Sequence, residues 1–240
     1  MDRQSWIKAR NERWFPKYRP SHEVYFEFAK SLLKPNSALL HLGSGRDSLG
    51  IGRRLDSTCT KVVSLDLDWE GLSQNMNRQR VLATGGGMPF QEHSFDLIMA
   101  DNVFEHLDDP GLVLCECHRV LKRDGALIFL CPNRLSYIAL AARLTPHWFH
   151  EKFKRACMST READTFPTYY RVNSPGEIRR IAEKTGFRVE TLHSFVGWPT
   201  YWEWSDLFHR LFVMLHWLLE ILPVWAHITL VGVLRPKASS

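Results

Sequence analysis

The sequence predicts an α/β protein: a mostly parallel sheet with helices on both faces. Three observations predict it. From residue 21 to residue 133, short apolar runs alternate with helical segments. The runs are continuously apolar, as in strands buried on both faces. One of them, Ala38-Leu-Leu-His-Leu42, passes directly into Gly43-Ser44-Gly45, a strand running into a turn and then a helix.

The elements follow in order. Residues 21–34 read as a helix that ends before Pro35, and Ala38–Leu42 as the first strand. Ser48–Leu55 reads as a helix, Lys61–Leu65 as the second strand, Trp69–Arg80 as a helix and Arg80–Ala83 as a short strand. Phe95–Ala100 is the next strand. A turn leads to a helix over Pro110–Lys122, and Gly125–Leu130 is a fifth strand. After Pro132 the alternation stops. Ser174-Pro175-Gly176-Glu177 then opens a helix, with Ser174 as cap, Pro175 at the first helical position and Glu177 reaching back. That helix ends at Gly186. Phe187–Leu192 and residues 227–234 complete the strands.

This divides the chain into a basic N-terminal arm and helix (1–35), a core (36–133), an insertion (134–173) and a C-terminal part of the sheet (174–240). The last contains a second, aromatic-rich helical insertion, 198–225, with five of the nine tryptophans. The two insertions are expected to form a lid over one edge of the sheet, where specificity would reside.

Composition narrows the function classes. A hydrophobic fraction of 45% and a charged fraction of 24% exclude a disordered chain. The net charge is +5, and residues 1–20 alone carry six Lys/Arg against two acids. The remainder is near neutral, which argues against nucleic acid as partner. Five cysteines without framework spacing point to reduced thiols and a cytoplasmic setting, and the polar, aromatic N-terminus reads as no signal peptide. Cys115-Glu-Cys117-His118 lacks a second pair at zinc spacing, so core packing is the reading and no metal is expected. Leu211–Leu234 is long and apolar enough to span a bilayer, but Glu220, His216, His227 and Pro223 break it. Helix, proline break and strand is the reading there.

The chemistry lies in a chain of motifs. Gly43 and Gly45 permit close backbone approach by a ligand, and the helix start beyond them favours an anionic group. Asp66 ends the second strand 21 residues after Gly45, the spacing at which a carboxylate accepts both hydroxyls of a ribose. Then come Thr84-Gly85, Met88-Pro89-Phe90, Ser94-Phe95-Asp96, Asp101-Asn102, Glu105-His106-Leu107 and Arg119-Val-Leu-Lys-Arg-Asp-Gly125.

With these motifs the chain resembles the class I S-adenosylmethionine-dependent methyltransferases. Its nearest likeness is to the type 11 subgroup that includes ubiquinone and menaquinone biosynthesis methyltransferases. The resemblance covers residues 36–133 well and the remainder more loosely. It implies a Rossmann-like sheet of seven strands with the last antiparallel, and S-adenosyl-L-methionine as cofactor. It places Gly43, Ser44 and Gly45 at the amino-acid part of that cofactor, and Asp66 on the ribose. Leu67 would pack on adenine, with Thr84, Gly85 and Met88 at the adenine side. Asp101 and Asn102 would lie beside the sulfonium. Two departures stand out. Asp47 replaces the third glycine of the loop, and Thr84 stands where an Asp usually receives the adenine amino group.

For the reaction, His106 follows the fourth strand near the expected methyl group and is the candidate general base. Tyr170 is the second candidate catalytic residue. Tyr169, Arg171, His147 and His150 share the first insertion with it. The expected reaction is O-methylation of a small-molecule, glycan or lipid-linked acceptor. A carboxylate or amine acceptor would need no strong base.

From Leu207 to Leu222 the polar residues leave a broad apolar face. Three readings stay open for it: burial under the lid, a homodimer face, or contact with a lipid or a membrane surface. The basic arm fits the last, a peripheral membrane attachment. Rival functions are a nucleic-acid (RNA) methyltransferase and a degenerate methyltransferase fold used for binding. The first is disfavoured because base N-methylating members carry Asn/Asp-Pro-Pro-aromatic after the fourth strand, where this chain reads Asp101-Asn102-Val-Phe104. A nicotinamide dehydrogenase is disfavoured by Ser48, where its fingerprint has glycine.

Overall fold

The computed structural model describes residues 19–47, 50, 54–55, 59–136, 139, 167–196, 214, 218 and 227–237. Within them the helices are α1 (Ser21–Leu32), α2 (Trp69–Gln74), α3 (Pro110–Val120) and α4 (Pro175–Lys184). The strands are β1 (Ser37–Leu42), β2 (Cys59–Asp66), β3 (Gln79–Leu82), β4 (Phe95–Asp101), β5 (Leu121–Pro132), β6 (Phe187–Phe195) and β7 (Thr229–Pro236).

These strands form one seven-stranded sheet in the order β3-β2-β1-β4-β5-β7-β6. The pairs from β3 through β5 are parallel, and β7 runs antiparallel to both β5 and β6. The architecture expected from the resemblance is therefore present. The chain leaves β1 toward β2 on one side, while β4 lies on the other. The order reverses between β1 and β4, which opens a crevice at their carboxyl ends.

Alternation along each strand builds the two faces. Leu39, Leu97, Met99, Ala126 and Ile128 pack with Tyr25 and Ala29 of α1. Leu40, Ile98, Leu127 and Phe129 point the other way, toward Leu114 and Cys117 of α3 and Ile178 of α4. Because both faces are covered, the strands had to be apolar throughout, which is the pattern the sequence shows.

The helix starts are built as their sequences dictate. Asp68 accepts from the Glu70 and Gly71 N–H groups at the head of α2, and Asp109 from Leu112 N–H ahead of Pro110. Ser174 caps α4, and its hydroxyl also meets Glu177 Oε2 at 2.7 Å.

Most boundaries shift by one or two residues from expectation, and three shift further. The helix expected over Trp69–Arg80 stops at Gln74, because the Asn75 side chain turns inward to the glycine loop. The strand expected to end at Leu192 continues to Phe195, paired with β7. The strand expected to start at Gly125 begins at Leu121, with a register shift against β4. Most of the helix expected over Ser48–Leu55, and nearly all of the insertion 198–225, lie outside the described residues. No helix among the described residues is long and apolar enough to cross a membrane.

Candidate functional site

The crevice at the carboxyl ends of β1, β2 and β4 gathers most of the residues singled out above. Gly43 adopts φ +63°, a left-handed conformation, and a Cβ there would lie 2.4 Å from Val103 Cγ2. Glycine is required twice over, by backbone angle and by space. The Gly43 and Ser44 N–H groups both donate to the Leu65 carbonyl, at 2.8 and 3.2 Å. Gly45 (φ +42°) differs: a Cβ there would approach only Asp66 Oδ2, at 3.9 Å. The loop is thus packed against Val103, past the end of β4, at Gly43 and open at Gly45, where a ligand can come close.

Asp66 ends β2 and joins this loop. Gly45 N–H donates to its Oδ2 at 2.7 Å, and Asp68 N–H to its Oδ1 at 2.9 Å. Each carboxylate oxygen has a second lone pair, so capacity remains for two ligand hydroxyls. Leu67, the next residue, is an apolar side chain that is 64% exposed just past the end of β2.

The glycine-rich turn after β3 lies beside α3. A Cβ on Gly85 would meet Val113 Cγ1 at 3.2 Å and Leu42 Cδ1 at 3.3 Å, and one on Gly86 would strike Leu112 Cδ2 at 2.8 Å. Leu112 itself is exposed. Thr84 is exposed, and its Oγ1 accepts from Gly86 N–H at 3.3 Å. Met88 differs from its neighbours. Its side chain is buried in the core, so it presents backbone rather than a thioether to this edge. Met88 N–H donates to Glu116 Oε2 at 2.8 Å, and its carbonyl accepts from Arg119 Nη2 at 3.0 Å. Glu116 pairs with Arg119 at 2.7 Å, and the guanidinium hydrogen bond holds the Glu116 carboxyl below the usual carboxylate range.

Asp101 and Asn102 form the β4 side of the crevice. Asn102 takes φ +54°, and its N–H donates to the Leu130 carbonyl at 2.8 Å. Asp101 Oδ1 lies 2.7 Å from His41 Nε2.

The 3-10 turn Phe104–His106 follows, and residues 167–172 dock on it. Tyr169 and Tyr170 N–H both donate to the Glu105 carbonyl, at 2.7 and 3.2 Å. Arg171 forms an ion pair with Asp108 at 2.8 Å. His106 Nδ1 lies 3.0 Å from the Pro167 carbonyl. A carbonyl only accepts, so in the neutral ring Nδ1 carries the proton and Nε2 the lone pair. His106 and Tyr170 are therefore brought together through one strand of chain, whereas His147 and His150 lie outside the described residues.

Three groups escaped the sequence reading. His41 sat inside an apolar strand and gave no sign of its pairing. Asn75 donates to Ser44 Oγ (3.3 Å) and the Gly45 carbonyl (2.9 Å), and Asn77 to Ser64 Oγ (2.7 Å). An Asn-x-Asn ahead of a strand is a turn signal and could have shortened the expected helix. Glu116 and Arg119 were read only as parts of a helix and a motif. In Cys115-Glu-Cys117-His118, Cys117 is buried in the core and burial pushes its thiol pKa up, while Cys115 is exposed.

Comparison with known proteins gives a consistent result. Residues 40–129 match the family described as a methyltransferase domain. A protein of Mycolicibacterium smegmatis, named a probable S-adenosylmethionine-dependent methyltransferase, is 26% identical over 201 residues, 79% of this chain and 65% of its own. The mitochondrial ubiquinone biosynthesis O-methyltransferase of Rattus norvegicus is 27% identical over 122 residues, 47% of this chain and 30% of its own. The chain thus spans less than two thirds of the length of either relative. In fold it is similar to the crystal structure of an S-adenosylmethionine-dependent methyltransferase from Mesorhizobium loti. The TM-score is 0.58 at 15% identity, covering 86% of this chain and 94% of that one.

Proposed function

We propose, from the premise that this chain belongs to the S-adenosylmethionine-dependent methyltransferases, that it transfers a methyl group to the oxygen of a small-molecule, glycan or lipid-linked acceptor. One observation carries the cofactor part of this reading: the Gly45–Asp66 pairing at the strand-order reversal, with open space at Gly45. The residues present fit the group. Asp66 would hold the ribose hydroxyls, Leu67 would cover adenine, and the Gly43–Gly45 backbone would face the amino-acid end. When bound, the cofactor supplies an electrophilic methyl on a sulfonium, and the protein's task is alignment.

His106 supports the choice of a hydroxyl acceptor. With its Nδ1 proton held by the Pro167 carbonyl, its Nε2 can take the proton of an acceptor hydroxyl. Tyr169 and Tyr170, set on the same turn, would line the acceptor side. Thr84 favours a second reading, a methyltransferase fold used for binding: its hydroxyl already accepts from Gly86 and offers no charge to an adenine amino group.

Calorimetric titration with S-adenosylmethionine and with S-adenosylhomocysteine tests the first reading against the second. Binding of either at micromolar concentration supports the enzyme. Methyl transfer to hydroxyl, carboxyl and amine acceptors then tests the acceptor class. A folded protein that binds neither ligand overturns the proposal.

A further inference from the structure

Beneath the crevice lies a buried charged cluster that holding the ribose does not require. His41 is 1% exposed and continues the Leu39 side of β1, toward α1. Its Nε2 meets Asp101 Oδ1 at 2.7 Å, and its Nδ1 faces Asp47 Oδ1 at 3.9 Å without a hydrogen-bond partner. The titratable groups around it are Asp101 from β4, Asp47 from the glycine loop and Asp66 from β2. Tyr25 of α1 lies buried near Asp101. An imidazole therefore sits among three carboxylates at the end of the crevice expected to hold the amino-acid and sulfonium part of the cofactor.

We propose that His41 is a positioning residue that sets how much negative charge the site presents to the sulfonium. The site would thereby distinguish the methyl donor from its demethylated product in a pH-dependent way. This inference rests on the methyltransferase reading above. S-adenosylmethionine carries a sulfonium charge, and S-adenosylhomocysteine is a neutral thioether at the same atom. With a neutral ring, Nε2–H donates to Asp101 and the Nδ1 lone pair faces Asp47, so the carboxylates stand uncompensated. With a protonated ring, Nδ1–H points at Asp47 and one positive charge offsets them. The donor then loses affinity relative to the product as pH falls. Burial is the largest single effect and opposes the charged ring, but the Asp101 hydrogen bond together with the charges of Asp101, Asp47 and Asp66 outweighs it and raises the His41 pKa above its ordinary value.

The test is calorimetric titration of the whole chain with both ligands between about pH 6 and about pH 9, for wild type and His41→Gln. Glutamine keeps an N–H for Asp101 and cannot titrate. The variant therefore carries only the ligands' own titration, and the difference between profiles isolates His41. The wild-type preference for S-adenosylmethionine should rise with pH by about threefold or more beyond that of the variant. A merely structural role would weaken both ligands together and leave the two profiles parallel, which overturns the proposal. A wild-type preference that is flat with pH overturns it as well, whether or not the variant folds. If the folded wild type binds neither ligand, the methyltransferase reading fails and this inference falls with it.

Discussion

The Gly45 N–H donates to Asp66 Oδ2 across 2.7 Å, so the turn after β1 and the end of β2 form one unit. The carboxylate that would take the ribose also holds the backbone that would face the methionine end. Asp66→Ala should therefore lose both, weakening S-adenosylmethionine binding by about tenfold to a hundredfold, the worth of one or two charge-assisted hydrogen bonds. The sheet should persist, since β2 stays paired with β1 and β3. Calorimetry with circular dichroism checks this, and unchanged affinity in a folded variant would remove Asp66 from the ribose.

Gly43 separates strain from space. Gly43→Ala places a methyl group 2.4 Å from Val103 Cγ2 at φ +63° and should destabilise the protein by about 2–4 kcal/mol. Adding Val103→Ala removes the collision but not the backbone strain. The double variant should regain part of the lost melting temperature, not all of it. Full recovery would show that the left-handed conformation carries no cost.

The reach of the sequence follows from which contacts are local. β1, β2, β4 and β5 were legible because strands covered on both faces must be apolar along their length. Gly43, Gly45 and Asp66 were legible because a fixed spacing carries them. His41 was not, since its meaning depends on Asp101, which is 60 positions away. The early end of α2 left one local sign, the Asn75-Met76-Asn77 turn signal, but its cause is also distant. Asn75 abandons helical geometry to reach Ser44 and Gly45, a long-range bond that local periodicity does not encode. The docking of residues 167–172 on the Phe104–His106 turn was expected only as a lid in general terms. Much of it is carried by backbone groups, Tyr169 and Tyr170 N–H on the Glu105 carbonyl and the Pro167 carbonyl at His106, and backbone pairing leaves little trace in residue type. The Arg171–Asp108 ion pair joins partners 63 positions apart.

Gly232 connects the β7 side of the sheet to the Phe104–His106 turn. A Cβ there would lie 2.4 Å from Phe129 Cζ, and Phe129 stacks on Phe104 with ring centroids 4.6 Å apart. Phe104 opens the turn that carries His106. Gly232→Ala should lower stability by about 1–3 kcal/mol through overpacking. It should also lower methyl transfer more than cofactor affinity, because the push is delivered to the His106 turn rather than to the glycine loop. Thermal melts, calorimetry and rates on one preparation separate these effects. Equal losses in binding and rate would contradict the route through Phe104.

Glu116 gives a pH dependence with a definite sign. Its carboxylate accepts from Met88 N–H and from Arg119, and Arg119 in turn donates to the Phe90 and Met88 carbonyls. Together they clamp the segment that follows the Thr84–Gly87 turn onto α3. The hydrogen bond from Arg119 lowers the folded-state pKa below its ordinary value of 4.5. A depressed carboxylate contributes stability above its unfolded pKa, and that contribution is lost as pH falls through the folded value. Wild type should therefore exceed Glu116→Gln in melting temperature at neutral pH, and the gap should close on acidification below about pH 4.5. The variant should also weaken S-adenosylmethionine binding modestly, since the segment beside Thr84 and Gly85 loses its anchor. A melting gap constant from neutral to acid pH would show that the ionised pair does not hold this segment.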